Sequence, residues 1–172
     1  MQTLVTGFEP WGRERRNPSG ELARAVGGHV LPVDYARAER ELLRLIRGSR
    51  PDAILMLGLA AGRTRLNLET VALNVDHCEE GKGRRWRRPI RKGPLALSAT
   101  LPVDRLYRAL RKARVPVSLS AHAGTFICNH VFYVALAESR APSGFLHVPP
   151  VRSVPFATQL RAVRLILDEL CG

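Results

Sequence analysis

Residues Ala53-Ile54-Leu55-Met56-Leu57 form an uninterrupted apolar run closed by Gly58. A strand with no polar position has no face to offer water, so it belongs inside a sheet covered on both sides, as central strands of α/β proteins are. The rest of the chain supplies the covers. Tyr35 to Arg47 carries Leu42, Leu43, Leu45 and Ile46 at helical spacing between charges. Val103 to Ala113 reads as an amphipathic helix, Cys128 to Glu138 as a mostly apolar one, and Phe156 to Leu170 as a third with Leu160, Val163, Leu167 and Leu170 on one face. Shorter apolar runs over Thr3 to Thr6, His29 to Val33, Val115 to Leu119 and Gly144 to Val148 read as further strands, and Leu66 to Val75 holds at least one more. Asn17-Pro18-Ser19-Gly20 reads as a turn, with Ser19 capping a helix over Gly20 to Val26. Strands alternating with helices predict an α/β fold, a three-layer α/β/α sandwich around a mostly parallel (mixed) central sheet. With no repeat or linker, residues 1–172 read as a single domain.

Charge raises one alternative partner. The chain has 27 Lys+Arg against 15 Asp+Glu, a net +12, and seven of those cations lie between Lys82 and Lys92. Flanked by Gly81, Gly83, Pro89, Gly93 and Pro94, this stretch reads as a loop or flexible hairpin with Trp86 at its centre. Nucleic acid or another polyanion is the rival reading. One loop without a binding fold does not carry it, so a solvated arginine-rich loop is the reading adopted and nucleic acid is not expected as a partner. No segment approaches the roughly 20 apolar residues that span a bilayer, and the N-terminus enters a strand pattern directly, so no membrane association and a cytoplasmic location are expected. Cys78, Cys128 and Cys171 contain no C-x-x-C pair and do not form a secreted disulfide framework. The consecutive His77-Cys78-Glu79-Glu80 do not converge on one ion, so no metal is expected.

In open α/β sheets, ligands bind beyond the carboxyl ends of the strands. Four clusters occupy such positions: residues 6–12, 58–63, 123–130 and 144–149. The Gly58 to Gly62 spacing lacks the Gly-Lys-Ser/Thr ending of a phosphate loop. Cys128 follows a small-residue turn at a predicted helix start, where unpaired N–H groups and the helix dipole favour a thiolate. His147 ends the next apolar strand before Pro149-Pro150. Glu69 is an acid in an otherwise apolar strand, where an unpaired carboxylate is costly. A histidine–carboxylate bond relieves that cost and fixes the imidazole tautomer, so Cys128, His147 and Glu69 suit the roles of nucleophile, general base and orienter.

These motifs together resemble the pyroglutamyl peptidase I (pyrrolidone-carboxylate peptidase) family of cysteine exopeptidases. Thr6-Gly7-Phe8-Glu9-Pro10-Trp11-Gly12 with Asn17-Pro18-Ser19 is similar to its T-G-F-x-P-F-G and N-P-S signature, and Gly58-Leu59-Ala60-Ala61-Gly62-Arg63 with Glu69, Ala72 and Asn74 to its second block. Ala123-Gly124-Thr125-Phe126-Ile127-Cys128-Asn129-His130 and Gly144-Phe145-Leu146-His147-Val148-Pro149 are similar to the segments bearing the family's cysteine and histidine. The resemblance implies cofactor-free removal of N-terminal 5-oxoproline from pyroglutamylated peptides, by a homo-oligomer, with the catalytic roles on Cys128, His147 and Glu69. It implies substrate-binding roles for Phe8, Trp11 and Phe126 as walls of a lactam slot, with ordinary core packing as the competing role of each, and for Ile127 beside them. Asn17 belongs to the same set, with bracing of the first loop as its competing role. Backbone N–H groups near Cys128 are the candidates for the oxyanion hole. Arg63 is expected to pair with a carboxylate or a loop carbonyl. Trp11 stands where the family has Phe, and the segment after Asn74 is rewritten.

Overall fold

The computed structural model describes residues 1–12, 16–80 and 84–172, with the backbone alone at 78–80 and 84–86. In chain order its elements are β1 (Thr3–Phe8), α1 (Pro18–Ala25), β2 (His29–Leu31), α2 (Tyr35–Ser49), β3 (Ala53–Leu59), β4 (Leu66–Glu69) and β5 (Val71–Leu73). There follow β6 (Asp76–Glu80), β7 (Arg84–Arg88), β8 (Ala96–Ser98), α3 (Val103–Lys112), β9 (Val117–Ser120), α4 (Ile127–Glu138), β10 (Ser143–Val148) and α5 (Phe156–Cys171).

The central sheet has the order β2-β1-β3-β10-β4-β9. The first four strands run parallel, β4 runs against β10, and β9 follows β4. The expected mixed sheet is found, and β3 lies inside it with Ile54, Leu55, Met56 and Leu57 fully buried. Leu55 and Leu57 pack toward α1, α3 and α5, whereas Ile54 and Met56 pack toward α2 and α4. That alternation explains the unbroken apolar run, because each face of the strand meets a helix layer. Each such side chain contributes roughly 1.5–3 kcal/mol of burial.

Helix α1 begins two residues earlier than the turn reading placed it. Asn17, extended at φ −123°, is the cap, its Oδ1 accepting from Ser19 N–H at 3.0 Å, and Pro18 fills the first helical position. Proline drives the residue before it out of the helical region and has no N–H to leave unpaired, so Asn-Pro outcompetes Ser19 for the cap. Ser19 instead donates its hydroxyl to Asn17 Oδ1 at 2.8 Å and accepts from Phe8 N–H at 3.2 Å. The helix lies directly on β1, because a Cβ on Gly20 would collide with the Phe8 carbonyl.

The segment from Leu66 to Val75 divides into two strands at Thr70, whose N–H donates to the Ser120 carbonyl at 2.9 Å. β4 stays in the central sheet, while β5 leaves it to pair with β8, a strand absent from the sequence reading. The basic stretch forms the second strand of the β6–β7 hairpin, its register setting Glu80 opposite Arg84, Glu79 opposite Arg85 and Asp76 opposite Arg88. Gly81, Lys82 and Gly83 lie outside the described residues, as do the side chains of Cys78 and Trp86. The stretch is not uniformly solvated: half-buried Arg91 pairs with Glu39 of α2 at 2.8 Å and Glu138 of α4 at 2.9 Å. The other expected elements are present with ends shifted by one or two residues. Among the described residues no helix is long and apolar enough to cross a membrane.

Candidate active site

Strand register assembles the site. Thr6, Met56, Phe145, Glu69 and Ser120 form one row across β1, β3, β10, β4 and β9. One pleat further toward the carboxyl ends of β3 and β10, Gly58, His147 and Asn67 form the next. Side chains directly opposite on paired strands share a face, and Met56 and Phe145 place this one under α2 and α4. Cys128, in the first turn of α4, settles over Gly58. A Cβ at position 58 would stand 2.7 Å from Cys128 Sγ and 2.7 Å from Phe145 Cζ, so only glycine leaves room for sulfur and ring together.

His147 lies between the other two groups. Its Nδ1 is 2.7 Å from Glu69 Oε1. A carboxylate only accepts, so Nδ1 carries the hydrogen and Nε2 is left for the Cys128 thiol. Burial by itself lowers the His147 pKa. The interactions with Cys128 and Glu69, including the attraction of both charges, outweigh burial and hold it up at about 9. The carboxylate is itself fully buried. Its charge is met by Arg63, whose Nη1 lies 3.2 Å from Glu69 Oε1 and whose Nη2 donates to Ser120 Oγ at 3.2 Å. A turn places that arginine: Ala60 N–H donates to the Val148 carbonyl at 2.9 Å, and Arg63 N–H folds back onto Ala60 O at 3.0 Å.

The start of α4 is held from beside rather than capped. Phe126 occupies the cap position without a side-chain hydrogen bond, and Gly124 takes φ +85° in the turn before it. The first-turn amides around Cys128 therefore carry the unpaired hydrogens of a helix start. Buried Asn129 accepts from Leu73 N–H at 2.7 Å and donates to the Leu73 and Val75 carbonyls at 2.8 and 3.1 Å, binding the helix to β5. His130 Nδ1 meets Asp76 Oδ1 at 2.9 Å and its Nε2 meets Glu39 Oε2 at 3.0 Å.

The expected wall residues divide by exposure. Phe8 is buried in the apolar cluster beneath α2 and α4, and Ile127 is partly buried against it. Trp11 is 70% exposed and Phe126 52%. Asn17, besides capping α1, donates Nδ2 to the Glu9 carbonyl at 3.0 Å, so its polar atoms are engaged in bracing the first loop. Gly58 and Asn129 lie within the motifs but were given no role by sequence reasoning. For Gly58 the signal was its place at the end of the buried strand. Among the described residues no three metal-ligating side chains cluster.

The α/β/α sandwich brings a thiol, an imidazole and a buried carboxylate together where β10 meets the antiparallel β4, an arrangement suited to a hydrolase of the cysteine-peptidase class. The sequence model of the family described as pyroglutamyl peptidase matches residues 1–161, and the chain belongs to that family. It is 38% identical over 160 residues to the pyrrolidone-carboxylate peptidase of Chromobacterium violaceum, spanning 85% of this chain and 76% of the relative. To that of Thermococcus onnurineus it is 35% identical over 195 residues, spanning 97% of each. The crystal structure of pyrrolidone carboxyl peptidase from Thermus thermophilus superposes with a TM-score of 0.86 at 38% identity, over 96% of this chain and 98% of that one. The enzyme from Thermococcus litoralis superposes at 0.90 with 29% identity, over 98% and 92%.

Proposed function

We propose that the enzyme removes N-terminal 5-oxoproline from peptides by a Cys128–His147–Glu69 triad through a thioester. The observation that carries this is the placing of one imidazole between a buried carboxylate at 2.7 Å and the thiol at the start of α4. The Cys128 thiolate attacks the carbonyl carbon of the scissile amide, and α4 amides receive the developing oxyanion. The tetrahedral adduct collapses, the C–N bond breaks, and His147 passes its Nε2 proton to the leaving amine. With the thiolate consumed in the thioester, its share of the attraction on His147 is gone. The neutral imidazole then takes a proton from water, which attacks the thioester, and returns it to sulfur as 5-oxoproline leaves.

The lactam is small, flat and uncharged, which suits a slot with apolar and aromatic walls. Phe126, Trp11, Phe8 and Ile127 are the proposed walls, while Asn17 supports the loop that bears Trp11. The family resemblance also implies a homo-oligomer, and the cytoplasmic location is carried over from the sequence reading. The polyanion reading of residues 82–92 loses support from the hairpin, which sets acids opposite arginines, and from Arg91, which is paired with Glu39 and Glu138.

Hydrolysis of pyroglutamyl and prolyl arylamides under reducing conditions, with and without iodoacetamide, tests the function. Turnover is expected only for the pyroglutamyl compound and only with free thiol. Turnover of the prolyl compound at the same rate, or survival after alkylation, would overturn it.

A further inference from the structure

We propose that His77 is a specificity-determining residue: its imidazole fixes the Phe126 ring so that the ring's open face receives the substrate lactam. The two rings stack with centroids 5.3 Å apart and planes inclined by 21°. Phe126 nevertheless stays 52% exposed, so the stack with His77 leaves much of its surface open. Aromatic surface left open at the carboxyl end of a sheet fills no core. A small flat amide ring is a ligand such a face can take by stacking.

The main chain holds His77 from both sides. Its N–H donates to the Thr125 carbonyl at 2.8 Å, one residue before Phe126, and its own carbonyl accepts from Tyr35 Oη at 2.7 Å. The adjoining residues are fastened to the same helix, Val75 O by Asn129 Nδ2 at 3.1 Å and Asp76 by His130 Nδ1 at 2.9 Å. Imidazole and phenyl are therefore both tied to the start of α4, Phe126 two residues from Cys128. A phenylalanine without this partner would lose rotamer freedom when the lactam binds, which weakens association. His77 removes that cost beforehand, and it acts through Phe126 rather than on the scissile bond. It belongs to the stretch after Asn74 in which this chain departs from the family pattern.

The assignment rests on the lactam slot proposed above. It is tested with pyroglutamyl p-nitroanilide as substrate and free 5-oxoproline as competitive inhibitor, on the wild type, His77→Ala and His77→Phe. For His77→Ala, KM and the inhibition constant are expected to rise about threefold to tenfold, the worth of one aromatic pair, with kcat within about twofold. His77→Phe, which keeps a flat ring, is expected to restore both constants. Unchanged constants in His77→Ala overturn the proposal, whether or not its melting temperature falls, since a residue that only supports the fold gives that pattern. A rise that His77→Phe fails to reverse overturns it too. If His77→Ala does not fold, His77→Phe decides alone: constants matching the wild type support the stack, and raised ones refute it. A wild type without turnover, or turnover surviving in Cys128→Ala, strikes down the function itself. Cys128-dependent turnover that ignores His77 strikes down only this inference.

Discussion

His147 and Glu69 meet diagonally across the antiparallel seam of the sheet, Nδ1 to Oε1 at 2.7 Å. The ladder pairs His147 with Asn67 and Phe145 with Glu69, so the bond spans one step of register. Histidine is the last polar residue of a parallel strand, and the acid is the last residue of the strand that runs back beside it.

Replacing that acid by its amide separates charge from shape. Glu69→Gln keeps volume and hydrogen-bonding capacity but no longer stabilises an imidazolium, so kcat is expected to fall about 10²- to 10⁴-fold with smaller change in KM. Steady-state kinetics on a pyroglutamyl arylamide, with circular dichroism to show retained fold, measures this. Activity within threefold of wild type would remove Glu69 from the mechanism.

Cysteine replacement discriminates between two described thiols. Cys128 is partly buried beside His147, and Cys171 is exposed at the end of α5. Cys128→Ala is expected to lower turnover at least about 10³-fold, and Cys171→Ala to leave it unchanged. Mass mapping of iodoacetamide adducts against residual activity provides the check, with inactivation tracking the Cys128 adduct.

Gly58→Ala tests the platform under the sulfur. The added methyl meets Cys128 Sγ and the Phe145 ring at 2.7 Å each, so one or both must shift. Expected are a stability loss of about 1–3 kcal/mol and a kcat reduced more than tenfold. Thermal melts and kinetics on one preparation read both. An alanine variant as active as wild type would show that the thiol does not rest on this glycine.

The raised pKa of His147 fixes the sign of a pH effect. With a value of about 9 in the folded protein against 6.5 unfolded, the folded state holds the proton more tightly. The resulting stabilisation is complete below pH 6.5, falls as pH rises from 6.5 to about 9, and is gone above that. The difference in melting temperature between wild type and the non-titrating His147→Gln is expected to narrow over this interval. A constant difference would contradict it.

Asn129→Ala removes two hydrogen bonds between α4 and β5 and a third to Val75 just beyond that strand, and leaves their partly buried main-chain partners unmet. A loss of about 2–4 kcal/mol in urea unfolding is expected. Because the same side chain sets the helix that bears Cys128, kcat is expected to fall in the variant that remains folded.

The layers and the triad are legible in the sequence because each signal breaks or keeps a local rule. Ala53 to Leu57 has no polar face, Glu69 interrupts apolar surroundings, and Cys128 opens a helix. What stays hidden depends on partners distant in the chain. Gly58 is one of 14 glycines, and its need for a hydrogen side chain arises only when α4 and β10 arrive above it. The arginine stretch reads as a bare cationic loop until register sets Glu79, Glu80 and Asp76 opposite it. β8 has three residues after Gly93-Pro94, too few to show a period. The cap of α1 falls on Asn17 because Pro18, standing between two good capping residues, decides in favour of the one before it.

β10 is the last of the described strands in chain order, yet it lies inside the sheet, between β3 and β4. His147 and Glu69 are 78 positions apart. Their meeting requires the closure of a long loop and the seating of a strand between two neighbours, a non-local pairing of the kind that forms slowly. After denaturation, the return of turnover is therefore expected to follow this long-range pairing rather than the recovery of helices alone.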